Sequence, residues 1–325
     1  MPRRLGIIGT FVWDTVWTLA DQAAGRPFET WGGVSFSIAS AAATRPEGWE
    51  IVPIAHVGRD LLDGVHAHLD TVDGIGSRGG IVAVEQPNNR VELVYTDEAR
   101  RGESMRGGVP GWTWDELAPH LEGLDALYVN FLSGWELDLP TARHLRNLPI
   151  PVYADLHSLF LGPPRPDGPR EPRRLPDADE WLRCFRAVQV NEEEYELLMG
   201  ERLPPGELPS PLHAYGVEAA FVTLAGAGAA FSASDAFSGP DGSMTETHGG
   251  CVPASLVVEG GDPTGCGDVW GAAVFCGLLG GLPPRGAVER ANAVAAAKLR
   301  HRGGSGLFEH LRARRGEWTC AGVDG

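Results

Sequence analysis

The apolar positions of this chain fall into short runs rich in β-branched residues, separated by longer stretches in which apolar residues recur at helical spacing. Runs at residues 5–8, 50–55, 126–129, 151–154, 187–190 and 219–223 show little polar alternation, as strands buried on both faces do. Between them, residues 35–43, 141–146, 192–199, 269–279 and 285–300 read as helices. Strands and helices in alternation predict a doubly wound α/β fold, with a mainly parallel central sheet flanked by helices. Such sheets take ligands beyond the carboxyl ends of their strands.

Two stretches break the alternation. Residues 81–96 read as two strands flanking the turn cluster Gln86-Pro87-Asn88-Asn89, a small β-lid able to close over a site. Residues 161–174 are proline-rich and basic, which makes them a loop. No repeat or long linker divides the chain, so the expectation is one α/β domain over residues 1–325, with lid segments at about 11–31 and 81–105 inserted in it.

Charge narrows the partners. With 43 acidic against 27 basic residues, the formal net charge of the 325 residues is -16, which argues against nucleic acid or an anionic membrane as the main partner. No run of about 18 apolar residues is present to span a bilayer. Lys298 is the only lysine, so a phosphate-binding lysine elsewhere is excluded. The five cysteines are scattered without metal-ligand spacing, which fits a reducing cytoplasm. The first apolar run is short and followed by Asp14, too weak for a signal peptide.

The most informative stretch is Gly260-Gly261-Asp262-Pro263-Thr264-Gly265-Cys266-Gly267-Asp268, which runs straight into the apolar helix from Val269. Asp268 then falls in a first helical turn, where backbone N–H groups lack partners and the dipole is positive. Gly265, Cys266 and Gly267 can turn their amides toward one anion such as phosphate. An acid held there stays ionised and can accept a proton from a hydroxyl that attacks the phosphoryl group. The competing reading is an ordinary cap after a tight turn.

At this point the chain resembles the ribokinase-like, or PfkB, family of carbohydrate and nucleoside kinases. Asp262 to Asp268 is similar to the family's D-T-x-G-A-G-D motif. Gly32-Gly33 followed by Ser37 resembles its G-G-x-x-x-N motif, and Gly58-Arg59-Asp60 with Gly64 resembles the G-x-D-x-x-G turn. Asn191 to Glu194 has the N-x-x-E form, Thr223 to Gly228 resembles the T-L-G-x-x-G nucleotide loop, and Asn292 matches an adenine-side asparagine.

The resemblance implies ATP as donor and Mg2+ as counter-ion. Asp268 would be the base, and the amides of Gly265, Cys266 and Gly267 would form the anion hole. It implies Asp14, Gly32, Gly33 and Ser37 at the acceptor, and Asn191, Thr223, Gly226, Gly228 and Asn292 at the nucleotide. Glu194 would be linked to magnesium through water, and Asp262 is the place for a monovalent cation such as K+. A small-molecule sugar or nucleoside is the implied partner, with a homodimer through the lid permitted.

Departures from the family pattern bear on the substrate. Ser37 replaces the asparagine of ribose kinases, which removes amide hydrogen bonding from the expected sugar pocket. Phe11, Trp13, Trp17, Trp31 and Phe36 crowd the same region, either as core and lid packing or as faces on which a ring stacks. Asp155, His157 and the arginines at 165, 170, 173 and 174 are candidates to approach phosphate. Cys266 reads as a small residue in an alanine position or as a thiol activated at a helix start. The leading expectation is an ATP-dependent kinase acting on a hydroxyl of a sugar or sugar derivative. The alternatives are a nucleoside kinase of the same fold and a non-catalytic binding relative.

Overall fold

A computed structural model describes residues 2–96, 101–165, 169–234, 247–254 and 261–319. In chain order its strands are β1 (Arg3–Ile8), β2 (Phe11–Trp17), β3 (Phe28–Gly33), β4 (Trp49–Gly58), β5 (Ile81–Val84), β6 (Arg90–Tyr95), β7 (Arg101–Arg106), β8 (Ala126–Asn130), β9 (Val152–Asp155), β10 (Ala187–Asn191), β11 (Ala219–Thr223), β12 (Ala229–Ser234) and β13 (Thr247–Val252). Nine form one sheet in the order β13-β12-β11-β10-β9-β8-β1-β4-β5. From β11 to β5 every neighbour is parallel, and β12 and β13 extend the sheet antiparallel. The doubly wound, mainly parallel sheet expected from the alternation is the observed fold.

Both faces of this sheet are covered, which explains the unbroken apolar runs. On β8, Ala126 and Tyr128 enter one core cluster while Leu127 and Val129 enter the other. The first cluster is closed by helices Val34–Thr44, Cys266–Leu279 and Pro284–Lys298, the second by Trp114–Leu121 and Leu139–Leu145. Each large side chain fully buried in this way contributes about 1.5–3 kcal/mol. All eleven residues of Val34–Thr44 are buried, and most are alanine or serine. Their small size lets the Cys266–Leu279 helix approach closely, and Ser40 Oγ meets its need for a partner by donating to Val269 O at 2.7 Å.

The segments expected to form a lid contribute a second sheet of four strands, in the order β3-β2-β6-β7, with a small core of Val12, Val91 and Leu93. Here the structure differs from the expected hairpin over residues 81–96. β5 joins the edge of the main sheet, parallel to β4 with Ala55 opposite Ile81, whereas β6 pairs with β2 in the lid. The physical reason lies in the turn between them. Asn88, fully buried, accepts from Gly58 N at 3.1 Å and donates to Phe11 O at 2.8 Å, while its own N–H donates to Asp60 Oδ1 at 2.9 Å. The turn residues thus fasten the chain where it crosses from one sheet to the other. The apolar run at residues 255–258, just before the glycine-rich turn, has the composition of a strand and lies outside the described residues.

Replacing Asn88 by alanine leaves the Gly58 N–H and the Phe11 carbonyl without these partners in a buried place. The expected loss is about 1–3 kcal/mol per group left unpaired, read as a lower urea midpoint. An unchanged midpoint would show that the crossing does not depend on this side chain.

Candidate active site

Four parallel strands end in polar residues. Asn130, Asp155, Asn191 and Thr223 are the last residues of β8, β9, β10 and β11, and the register places Asn130 opposite Asp155 and Asn191 opposite Thr223. A cavity of ≈530 Å³ opens above them, with Asp155, Asn191 and Thr223 on its floor, Asp14 and Val91 of the lid on one side, and Gly265, Gly267 and Asp268 on another. The carboxyl edge of the sheet and the glycine-rich turn therefore share one space.

Asp268 stands in the first turn of the Cys266–Leu279 helix, whose cap, Gly265, has φ +77°. A side chain there would be strained, and a Cβ would also lie 2.4 Å from the Phe36 ring, so only glycine fits. Asn130 Nδ2 donates to Asp268 Oδ1 at 2.7 Å and to Ser37 Oγ at 2.7 Å. Burial pushes the Asp268 carboxyl above the ordinary carboxylate range, against the pull of Asn130, His157 and Lys298. That departs from the expectation of a plainly ionised acid at a helix start, because desolvation outweighs its favourable neighbours.

A second carboxylate cluster adjoins it. Asp155 accepts from Gln189 Nε2 at 3.0 Å and from the His157 N–H at 3.2 Å. Burial and the charges of Asp268 and Glu194 push its carboxyl up to about 8. Glu194 caps its own helix: its Oε2 accepts from Asn191 N at 2.8 Å, and its Oε1 accepts from Asn191 Nδ2 at 2.7 Å and faces His157 Nδ1 at 2.5 Å. Burial works against charge on His157, but the hydrogen bond and charge of Glu194, with Asp155 and Asp268, take the imidazole up to about 10. The ring is 52 % exposed, so solvent shares that charge. Arg170 also lines the cavity, held by Gly162 O at 2.7 Å and Ser133 O at 2.6 Å.

The other expected residues divide into those at the cavity and those behind it. Asp14 and Gly33 line it, and Gly32 makes room for the acid, since a Cβ on Gly32 would lie 1.9 Å from Asp14 Oδ2. Ser37 is fully buried and holds Asn130. Phe11 and Trp31 pack edge to face in the core, while Phe36 reaches the cavity wall. Asn292 is buried with its amide committed: Trp270 Nε1 donates to its Oδ1 at 2.8 Å, and its Nδ2 donates to Pro253 O at 3.0 Å. The Cys266 N–H closes a turn on Pro263 O at 3.1 Å, which leaves Gly265 and Gly267 as the residues of the expected anion hole that line the cavity. Burial pushes the Cys266 thiol up to about 11, so this cysteine is the small filler and not an activated thiol.

In the 223–228 turn, Thr223 lines the cavity, while Gly226 and Gly228 lie outside its lining. Ala225 has φ +47°, the left-handed region that suits the glycine of the motif it resembles.

Asp262, the expected place for a monovalent cation, has a protein partner of its own. Lys298 Nζ, on a side chain with no exposed surface, donates to Asp262 O at 2.8 Å and to Oδ2 at 3.2 Å. Thr264 N and Gly303 N donate to the same carboxylate at 3.0 and 3.2 Å. An ammonium group therefore pairs with this carboxylate and with the backbone carbonyl of the same residue, so the acid's charge is already balanced within the protein. The sequence reading missed Lys298, Asn130 and Gln189. The available signals were a sole lysine on the last long helix, an amide that ends the apolar run of β8 and another that interrupts the apolar run of β10.

Comparison with known proteins follows the same lines. A family model described as pfkB family carbohydrate kinase matches residues 165–310. No curated protein sequence matches the chain. Among solved structures, a ribokinase from Thermotoga maritima superposes with a TM-score of 0.67 at 18% identity, over 96% of this chain and 99% of its own. A pyrophosphate-dependent kinase of the ribokinase family, complexed with a pyrophosphate analog and myo-inositol, gives 0.68 at 18% identity over 96% and 100%. The Burkholderia thailandensis nucleoside kinase in complex with inosine gives 0.65 at 16% identity over 96% and 96%. At such identities the likeness is one of fold.

Lys298→Met removes the ammonium and leaves Asp262 uncompensated, with an expected loss of about 3 kcal/mol in a site this enclosed. Thermal unfolding should show the variant regaining stability as potassium replaces a bulky organic cation in the buffer, with the native protein indifferent to the exchange. A native protein that itself requires potassium would refute the assignment of this position to Lys298.

Proposed function

We propose that this protein, which has the ribokinase-like fold and a PfkB-family match over residues 165–310, moves the γ-phosphoryl group of ATP to a hydroxyl of a sugar or sugar derivative. The observation that carries this reading is the shared cavity, in which Asp268 and the glycines of a helix start face Asp14 of the lid. An acceptor hydroxyl lying between the two acids would give its proton to Asp268. The raised proton affinity of that carboxylate suits a general base. The Gly265 and Gly267 backbone at the positive end of the helix would meet the charge on the phosphoryl group. Asn130 holds the base in place by its hydrogen bond.

The carboxylates suit Mg2+, a hard ion that binds through one or two carboxylates, waters and phosphates. No cluster of three or more His, Cys, Asp or Glu among the described residues forms a metal cage. Asp155 would hold it directly, and a cation there relieves the repulsion that raises this acid. Glu194 would act through water, because its oxygens already face Asn191 and His157. When bound, the ion offsets charge on the transferring group.

One observation favours a second acceptor class. Val12, Phe36, Val91, Leu93, Met105 and Leu132 make much of the cavity wall apolar, which suits the flat face of a nucleoside better than a bare polyol. The exposed large apolar residues Leu19 and Val94 lie beside and within the lid sheet, which supports the lid as the face of a homodimer. No helix among the described residues is long and apolar enough to cross a membrane, and Cys184, Cys251, Cys266 and Cys276 are free. The free thiols accord with a cytoplasmic setting.

ADP release from Mg-ATP over a panel of sugars, sugar acids and nucleosides tests the proposal. Acceptor-dependent turnover should fall by roughly 10²–10⁴ in Asp268→Asn, with the fold retained. Turnover that survives the substitution would remove Asp268 from the role of base.

A further inference from the structure

Gln189 is the one polar side chain inside the apolar run Ala187-Val188-Gln189-Val190 of β10. The register sets it opposite Asp155 on β9, and its amide reaches the Cys266–Leu279 helix. An amide buried in the middle of a sheet is costly unless its hydrogen-bonding capacity is met. Here Nε2 donates to Asp155 Oδ2 at 3.0 Å and to Gly267 O at 3.1 Å, and the Tyr153 hydroxyl donates to Oε1 at 3.0 Å. A backbone oxygen only accepts, so Gly267 O decides which end of the amide faces it.

The helix is shaped to receive this amide. Gly267 and Gly271 stand one turn apart on the same helix face. A Cβ on Gly271 would lie 2.2 Å from Gln189 Oε1 and 2.5 Å from the Tyr128 hydroxyl. Glycine inside a helix is unfavourable, and the close approach of these two polar groups accounts for its presence at 271.

The contact with consequences for the site is the one to Gly267 O. The peptide between Gly267 and Asp268 is planar, so holding its oxygen also fixes the direction of its N–H. That N–H belongs to Asp268 and bonds to the Asp268 carboxylate itself. Asn130 holds the same carboxylate from the side of β8. Gln189 therefore fixes the backbone of the acid while Asn130 fixes its side chain, and the same nitrogen of Gln189 holds Asp155.

We infer that Gln189 is a positioning residue of the site: it ties the Asp155 carboxylate to the Gly267–Asp268 peptide, so that the two acids keep one separation while a phosphoryl group is transferred. Its catalytic consequence rests on the kinase reading; its geometry does not. Gln189 borders the cavity but acts through Asp155 and Asp268, giving and taking no proton. A misplacement of about 1 Å at such a site costs up to roughly 10²-fold in rate.

Gln189→Met keeps the length of the side chain and removes all three hydrogen bonds. Its first readout needs no turnover: amide hydrogen exchange in the free protein, resolved residue by residue by NMR. The Asp268 amide should exchange roughly tenfold faster than in the native protein, with Ala273 and Val274 in the middle of the helix unchanged. The second readout is steady-state kinetics with the acceptor that the native protein uses. There kcat should fall roughly 10–10²-fold, while the KM for Mg-ATP stays within about threefold, as expected when ground-state binding is untouched. Tyr153→Phe, which lies behind the amide and outside the cavity lining, releases Oε1 alone and should move both readouts the same way by less; it takes over should Gln189→Met not fold. Asp268 exchange equal to the native rate, or an unchanged kcat, would overturn the inference. Faster exchange at Asp268, Ala273 and Val274 alike would reduce Gln189 to a support of the fold and overturn it as well. A native protein without turnover on any acceptor would count against the kinase reading, while exchange at Asp268 still decides the tie.

Discussion

One side-chain amide joins the parts on which the candidate site depends. Asn130 ends β8 in the middle of the sheet, and its Nδ2 reaches both Asp268 at the start of one helix and Ser37 within another. Those two helices pack on each other through small residues, and the same pair carries Gly265 against Phe36. The sheet therefore sets where the acid stands, and the helix start sets the polarity around it. Moving any one of the three would displace the carboxylate from the cavity wall.

Electrostatic balance is the second constraint. Asp155 and Asp268 stand at the carboxyl edge of the sheet, where burial disfavours the ionised form of both and the charges of Asp268 and Glu194 add to the effect on Asp155. The half-exposed His157 ring and the buried Lys298 ammonium offset part of that cost at Asp268.

Much of the fold was legible because the parallel strands are buried on both faces and so appear as unbroken apolar runs. The glycine-rich turn was legible because glycines, an acid and an apolar helix in that order leave few physical readings. What stayed hidden was long-range. The flap over residues 81–96 looked like a hairpin because local pattern carries no information about which sheet each strand joins; Asn88 and its bonds to Gly58 and Phe11 decide that. Asn292 and Asp262 matched motif positions, yet their partners, Trp270 and Lys298, sit 22 and 36 residues away and became apparent only in three dimensions.

The central claim is that the glycine turn and the strand ends form one phosphate-transfer cavity. Amide hydrogen exchange at Gly265 and Gly267, followed with and without a magnesium complex of a non-hydrolysable ATP analogue, tests it most directly. The account predicts that these two amides slow on binding, together with those at the ends of β9 and β10. Binding of the analogue that leaves Gly265 and Gly267 exchanging as before would contradict it.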